Sequence, residues 1–214
     1  MRLALYHNLP SGGAYRALYE YSTRLAQRHS VDLYRLDGEN GGADADETHH
    51  RDQERTLEGG LNAVYVYEMS GGRGRRAPRS AAERVVHVRR LTALQAEVAG
   101  DIDRRGYDAV VVHPCRITQT PALLWMLRTP TVYYMQEPRR TSFEYDLRPH
   151  PQLSGPTSVA RWAGRTIAER QFRSIDEKAA RAGDLILANS YYSVESIYRA
   201  YGREAVFCLS LIHI

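Results

Sequence analysis

The stretch Arg2-Leu-Ala-Leu-Tyr-His-Asn-Leu-Pro-Ser-Gly-Gly-Ala14, continued through Arg28 into Ser30-Val-Asp-Leu-Tyr-Arg35, decides the fold. An apolar strand over Arg2 to His7 runs into a turn that holds Ser11, Gly12 and Gly13. An amphipathic helix over Ala14 to Arg28 follows, and then a second strand. A helix start has amides without intrahelical partners, and the helix dipole is positive there. Glycine at the turn lets a ligand approach the backbone. The pattern predicts a seat for a phosphate or a sugar at Ser11-Gly12-Gly13. The spacing is not GxGxxG, and no P-loop lysine follows, which disfavours dinucleotide dehydrogenases and Walker-type NTPases. The competing reading is an ordinary tight turn.

Working outward, strands and helices alternate through the chain, which predicts an α/β fold: a Rossmann-like, mostly parallel sheet with helices on both faces. A polar excursion spans 37–60, and a third strand is expected at 62–68. Ser80 starts a helix to about Arg105, with Glu83 at the capping-box position and Leu91, Leu94, Val98 and Ile102 as the apolar stripe. Tyr107 to His113 reads as a buried parallel strand. A short helix over 121–127 leads to a strand at 131–135, and residues 136–156 read as proline-containing loop. A long helix is expected over 158–181, then a strand at Leu185-Ile-Leu-Ala188. The next helix ends at Tyr201, with Ser193 as N-cap and Gly202 as its stop.

The 214 residues suit one sizeable domain or two small ones, and 43% hydrophobic content suits a packed core. The net charge is +4, and Lys178 is the only lysine among 29 basic residues. A modest positive balance favours anionic partners, and no nucleic-acid-binding motif is present. No apolar run reaches the length of a membrane span, no signal peptide is recognised, and Cys115 and Cys208 suit a reducing compartment. The expectation is a cytoplasmic protein. The arginines at 73, 75, 76 and 79 are read either as a solvated loop or as a dock for anionic lipid at the inner membrane face. His49-His50 beside Asp46 and Glu47 lacks a second pair at ligand spacing, so no metal site is expected.

Three further strand ends carry polar groups. His113 ends one strand, either facing the crevice or hydrogen-bonded within the structure. Gln136-Glu137-Pro138 follows the next, and the proline extends Glu137. That carboxylate is read as a base for a hydroxyl nucleophile, or as a loop residue paired with Arg139 or Arg140. Asn189-Ser190 closes a third strand. In a parallel sheet these tips share one edge with the glycine turn, where open α/β sheets bind ligands.

These residues together resemble the N-terminal domain of a family 4 glycosyltransferase. The likeness is carried by Leu3-Ala-Leu-Tyr-His-Asn-Leu-Pro-Ser-Gly-Gly-Ala14, by Tyr107-Asp-Ala-Val-Val-Val-His-Pro-Cys115, by Thr131-Val-Tyr-Tyr-Met-Gln-Glu-Pro138 and by Asp184-Leu-Ile-Leu-Ala-Asn-Ser-Tyr-Tyr-Ser193. The last is the most specific. The resemblance implies the N-terminal, acceptor-side half of a GT-B fold over 1–208, with the donor-binding half and its Glu-x7-Glu element absent. It implies retaining transfer from a nucleotide-sugar donor to a glycan or lipid-linked acceptor hydroxyl, with no metal or other cofactor. Gly12-Gly13 match the family loop near donor diphosphate and acceptor, and Asn189 and Ser190 the cleft-edge pair. Gln136 or Glu137 stands where many members carry a histidine. Either Glu137 substitutes for it, or the sugar is recognised differently.

Glu204 to Cys208 reads as the start of a strand, and Leu209-Ser-Leu-Ile-His-Ile214 matches a translated transposon-end sequencing adapter. The expectation is that residues 209–214 are non-native and that this fragment alone is inactive; the alternative is a genuine terminal strand. Two rival readings stay open: a complete, non-catalytic Rossmann-like domain that binds a ligand or a protein, and another nucleotide-sugar enzyme such as an epimerase.

Overall fold

The computed structural model describes residues 1–9, 12–37, 60–69, 80–139 and 156–209. Ser11, the 73–79 arginines, His49-His50 and residues 210–214 lie outside the described residues. The elements follow in the order β1 (Arg2–Asn8), α1 (Gly13–Ala26), β2 (Ser30–Asp37), β3 (Ala63–Glu68), α2 (Ala81–Arg105) and β4 (Ala109–Cys115). A 3-10 turn (Ala122–Trp125), β5 (Thr131–Tyr134), α3 (Pro156–Ala182), β6 (Leu185–Ala188), α4 (Tyr191–Tyr201) and β7 (Val206–Phe207) complete the elements of the described residues.

The seven described strands form one parallel sheet in the order β3-β2-β1-β4-β5-β6-β7. The chain steps one way across the sheet from β1 to β3, then crosses back to β4 and steps the other way. Strand alternation sorts the side chains between two layers. Leu3 and Leu5 of β1 pack with Tyr15 and Leu18 of α1 on one face. Ala4 and Tyr6 pack with Val98, Ala99 and Ile102 of α2 on the other. β1 is buried at every residue except Arg2, as a central strand covered on both faces must be.

Local chemistry accounts for the helix ends. Ser80 accepts from the Glu83 amide at 3.1 Å, and the Glu83 carboxylate takes the Ser80 amide, so the capping box is complete. Such a cap contributes about 1 kcal/mol. Gly106 and Gly202 stop α2 and α4 in the left-handed conformation. The N-cap of α4 is Ser190, not Ser193: its hydroxyl accepts from the Ser193 amide at 3.0 Å, and the helix starts at Tyr191. The expected helix at 121–127 is one 3-10 turn. β4 begins at Ala109 rather than Tyr107 and runs through Pro114. Its pairing with β1 shifts between Tyr6 and Asn8, an irregularity that accommodates a residue with no amide proton. Tyr107 lies just before the strand, where its hydroxyl donates to the buried Asp32 carboxylate at 2.5 Å.

Among the described residues, no helix is long and apolar enough to cross a membrane.

Candidate functional site

Because every strand is parallel, all strand tips that precede a helix fall on one edge of the sheet. Strand order reverses between β1 and β4, and that edge of a doubly wound sheet is the usual ligand position. At this edge lies the turn into α1. Gly12 is its N-cap at φ 137° and ψ −167°, a conformation that only glycine adopts readily. A Cβ at Gly12 would meet nothing within 4 Å, so the turn faces open space. Among the described residues no side chain caps α1, and its first internal bond runs from the Arg16 amide to the Gly12 carbonyl at 3.0 Å. The helix therefore offers no partner to the amides of Gly13 and Ala14. Gly13 has no such backbone demand: it is the first helical residue and its φ is not positive.

The same edge holds the loop after β4. The Asn8 side-chain amide donates to Cys115 Sγ at 3.5 Å, and the Arg116 amide to the Asn8 carbonyl at 3.1 Å, which joins the two strand ends. Residues 115–119 close on themselves through a pair of backbone bonds between Cys115 and Gln119, at 2.7 and 2.9 Å. Gln119 sits at φ 65°, strained for a residue with a side chain. Its side-chain amide donates to the Glu137 carbonyl at 3.2 Å.

That bond begins a continuous rim. The Gln136 carbonyl accepts from Ser193 Oγ at 2.6 Å, and Ser193 Oγ also lies 2.9 Å from Asn189 Oδ1 and 2.8 Å from Ser190 Oγ. The structure thus brings Gln136, Glu137, Asn189 and Ser190 to one edge through backbone and side-chain bonds. The Glu137 side chain is exposed, while Gln136, Asn189 and Ser190 are half-buried. Both Ser190 and the amide oxygen of Asn189 are engaged in holding α4 against the end of β5.

His113 does not face the expected crevice. It is 0% exposed, its ring stacked on Tyr21 of α1 at 5.3 Å between centroids and 5.8 Å from Tyr134. Alternation along β4 turns it onto the α1 face. Neither ring nitrogen has a hydrogen-bond partner among the described residues. Burial, helped by the nearby His7, lowers its pKa from 6.5 to about 3, so the ring is neutral.

Beneath the rim lies a carboxylate that sequence reasoning did not single out. Asp176 of α3 is fully buried and accepts from the Thr120 hydroxyl at 2.6 Å and the Tyr201 hydroxyl at 2.7 Å. Tyr201 Oη in turn accepts from the Arg139 amide at 3.3 Å. One residue therefore ties α3, the β4 loop, α4 and the strand end bearing Glu137. Burial raises its pKa, opposed by those hydroxyl donors. Replacing Asp176 with alanine leaves both hydroxyls without an acceptor. It is expected to cost about 2–3 kcal/mol in urea unfolding. Wild-type stability in that variant would contradict the tie. Gln95 plays a similar part from α2, donating to Tyr6 Oη at 2.9 Å and accepting from the Ala122 amide at 2.8 Å. Among the described residues no cluster of three or more histidines, cysteines or acids could hold a metal ion.

No protein-family model matches the chain, and no curated protein matches it. Solved structures do. Anabaena Alr3699/HepE, in complex with UDP, is similar over 98% of this chain with a TM-score of 0.51 and 17% identity. The N-terminal domain of Candida albicans trehalose-6-phosphate phosphatase is similar over 94%, with a TM-score of 0.55 and 12% identity. A UDP-glucosyltransferase from Polygonum tinctorium is similar over 97%, with a TM-score of 0.53 and 13% identity. The likeness is one of fold: the Rossmann-like α/β arrangement of GT-B proteins. The chain covers 43%, 42% and 51% of those three chains respectively, so it spans about half their length or less.

Proposed function

We propose that this chain is the acceptor-side domain of a retaining, family 4-like glycosyltransferase that works in the cytoplasm. Its partner in catalysis is a second, donor-binding domain of the same protein. The parent enzyme moves a sugar from a nucleotide-sugar donor to a hydroxyl of a glycan or lipid-linked acceptor. The observation that carries this reading is the β1/β4 reversal of strand order beside a helix that starts at Gly12, in a fold similar to proteins solved with UDP and UDP-glucose.

In this mechanism the departing diphosphate takes up negative charge as the sugar centre becomes oxocarbenium-like. Amides with no intrahelical partner at the start of α1 stabilise charge developing nearby. We assign to Glu137, exposed just past the end of β5, the role of receiving the acceptor hydroxyl proton or orienting that hydroxyl. Gln136, Asn189 and Ser190 shape the rim that holds the acceptor. No step draws on a metal.

Division of labour between two domains gives a direct test. Calorimetric titration of this chain with a panel of UDP-, GDP- and dTDP-sugars is expected to show no saturable binding, or very weak binding. Tight binding by the chain alone would overturn the assignment of donor recognition to another domain.

A further inference from the structure

The sheet has two outer edges, and they differ. β7 is two residues long, which by itself blunts that edge. β3 is six residues, Ala63-Val-Tyr-Val-Tyr-Glu68, in unbroken parallel register with β2 and with no partner on its other side among the described strands. It contains no proline, lysine or glycine, and no bulge interrupts it. Val66 is 44% exposed on its α1-side face. Strands of this composition and length, left open, pair with another strand.

Alongside this edge runs a groove of about 640 Å³ between β3 and α2. Its α2 wall is low at Ala96 and Gly100 and charged at Glu97, Asp101, Arg104 and Arg105. The wall is fixed in place: Asp101 accepts from Tyr67 Oη at 2.9 Å, from Arg105 at 2.9 Å and from Arg104 at 3.3 Å. Along the helix both acids precede both arginines. A two-fold axis at this level reverses the second α2, so the acidic half of one helix meets the basic half of the other. A parallel arrangement would set like charges together. The strand is equally compatible with itself. In antiparallel pairing opposed residues share a face: about a two-fold at Val66, Val66 meets Val66, Val64 meets Glu68 and Tyr65 meets Tyr67; about one at Tyr65, Val64 meets Val66 and Tyr67 meets Ala63.

We propose that β3 and the flanking face of α2 form an isologous interface with a second copy of this chain, β3 pairing antiparallel with β3 so that the two sheets continue as one. The occupant is a second copy because the charge order on α2 is complementary to its own reverse.

Sedimentation velocity on the whole chain over a concentration series tests this. The wild type is expected to dimerise reversibly. Val66→Lys places a charge on the open edge and is expected to yield a monomer with an unchanged far-ultraviolet spectrum. Arg104→Glu, at a well-exposed side chain, is expected to weaken the dimer about tenfold. Adding Glu97→Arg to that variant restores the complementary order and is expected to recover the affinity. A wild type that stays monomeric at every concentration would overturn the proposal and mean that the edge is covered from within the chain or kept for a different partner. A dimer indifferent to both Val66→Lys and Arg104→Glu would overturn it by placing the interface elsewhere.

Discussion

Valine at position 12 is expected to lower sugar transfer by the proposed two-domain enzyme about 100-fold, because misplacing groups around the reacting atoms by an ångström has that effect. Gly12 lies at φ 137°, where a β-branched residue is strained. The open space around it means that valine does not clash but forces the turn into another conformation. The amides of Gly13 and Ala14 then aim elsewhere. The cost to folding is about 1–3 kcal/mol, within the ~5–15 kcal/mol margin of an ordinary domain. Thermal unfolding should therefore show a folded variant while kcat/KM collapses. Gly13→Ala, at a helical φ, is the control and should retain most turnover. Wild-type kcat/KM in Gly12→Val would remove the glycine turn from the mechanism.

The second large effect concerns stability against acid. His113 is buried neutral with a pKa near 3, against 6.5 when unfolded. Between those values the unfolded chain binds a proton that the folded chain refuses, so stability falls as pH falls. The loss begins below about pH 6.5 and reaches about 2 kcal/mol at pH 5. By pH 3 it approaches 4–5 kcal/mol, enough to unfold a marginal domain. His113→Phe keeps a ring between Tyr21 and Tyr134 but cannot titrate. Urea unfolding at pH 7.5 and pH 5 should show the wild type losing about 2 kcal/mol more than the variant. Equal losses in the two proteins would mean that the histidine is protonated in place or reached by water.

Much of the fold was readable from local pattern. β6, the Ser80–Glu83 cap and the Gly202 stop each rest on a few adjacent residues, and the structure places them as expected. β4 was read two residues early because Tyr107-Asp-Ala continues its apolar run, and because Pro114 looks like a terminus. Only the displaced register with β1 shows how proline fits within it. The direction of His113 was not legible for a related reason. A strand buried on both faces has no alternation from which to assign sides. Ser190 and Ser193 both precede apolar helix residues, and the choice between them depends on which hydroxyl reaches the N3 amide. Gln95 and Asp176 could not be found at all: their partners lie 25 or more positions away in sequence, at Tyr6 and Ala122 and at Thr120 and Tyr201. The shared edge of Gln136, Glu137, Asn189 and Ser190, by contrast, follows from parallel topology alone, and that topology follows from the βαβ order. Their chemical roles rest on the proposed reaction.

Reading the gene beyond codon 208 tests the central claim, that this fold is one half of a sugar-transferring enzyme, most directly. The account predicts an uninterrupted frame into a second βα domain that carries a Glu-x7-Glu element. A stop codon at the end of this chain, or a continuation into an unrelated domain, would contradict it.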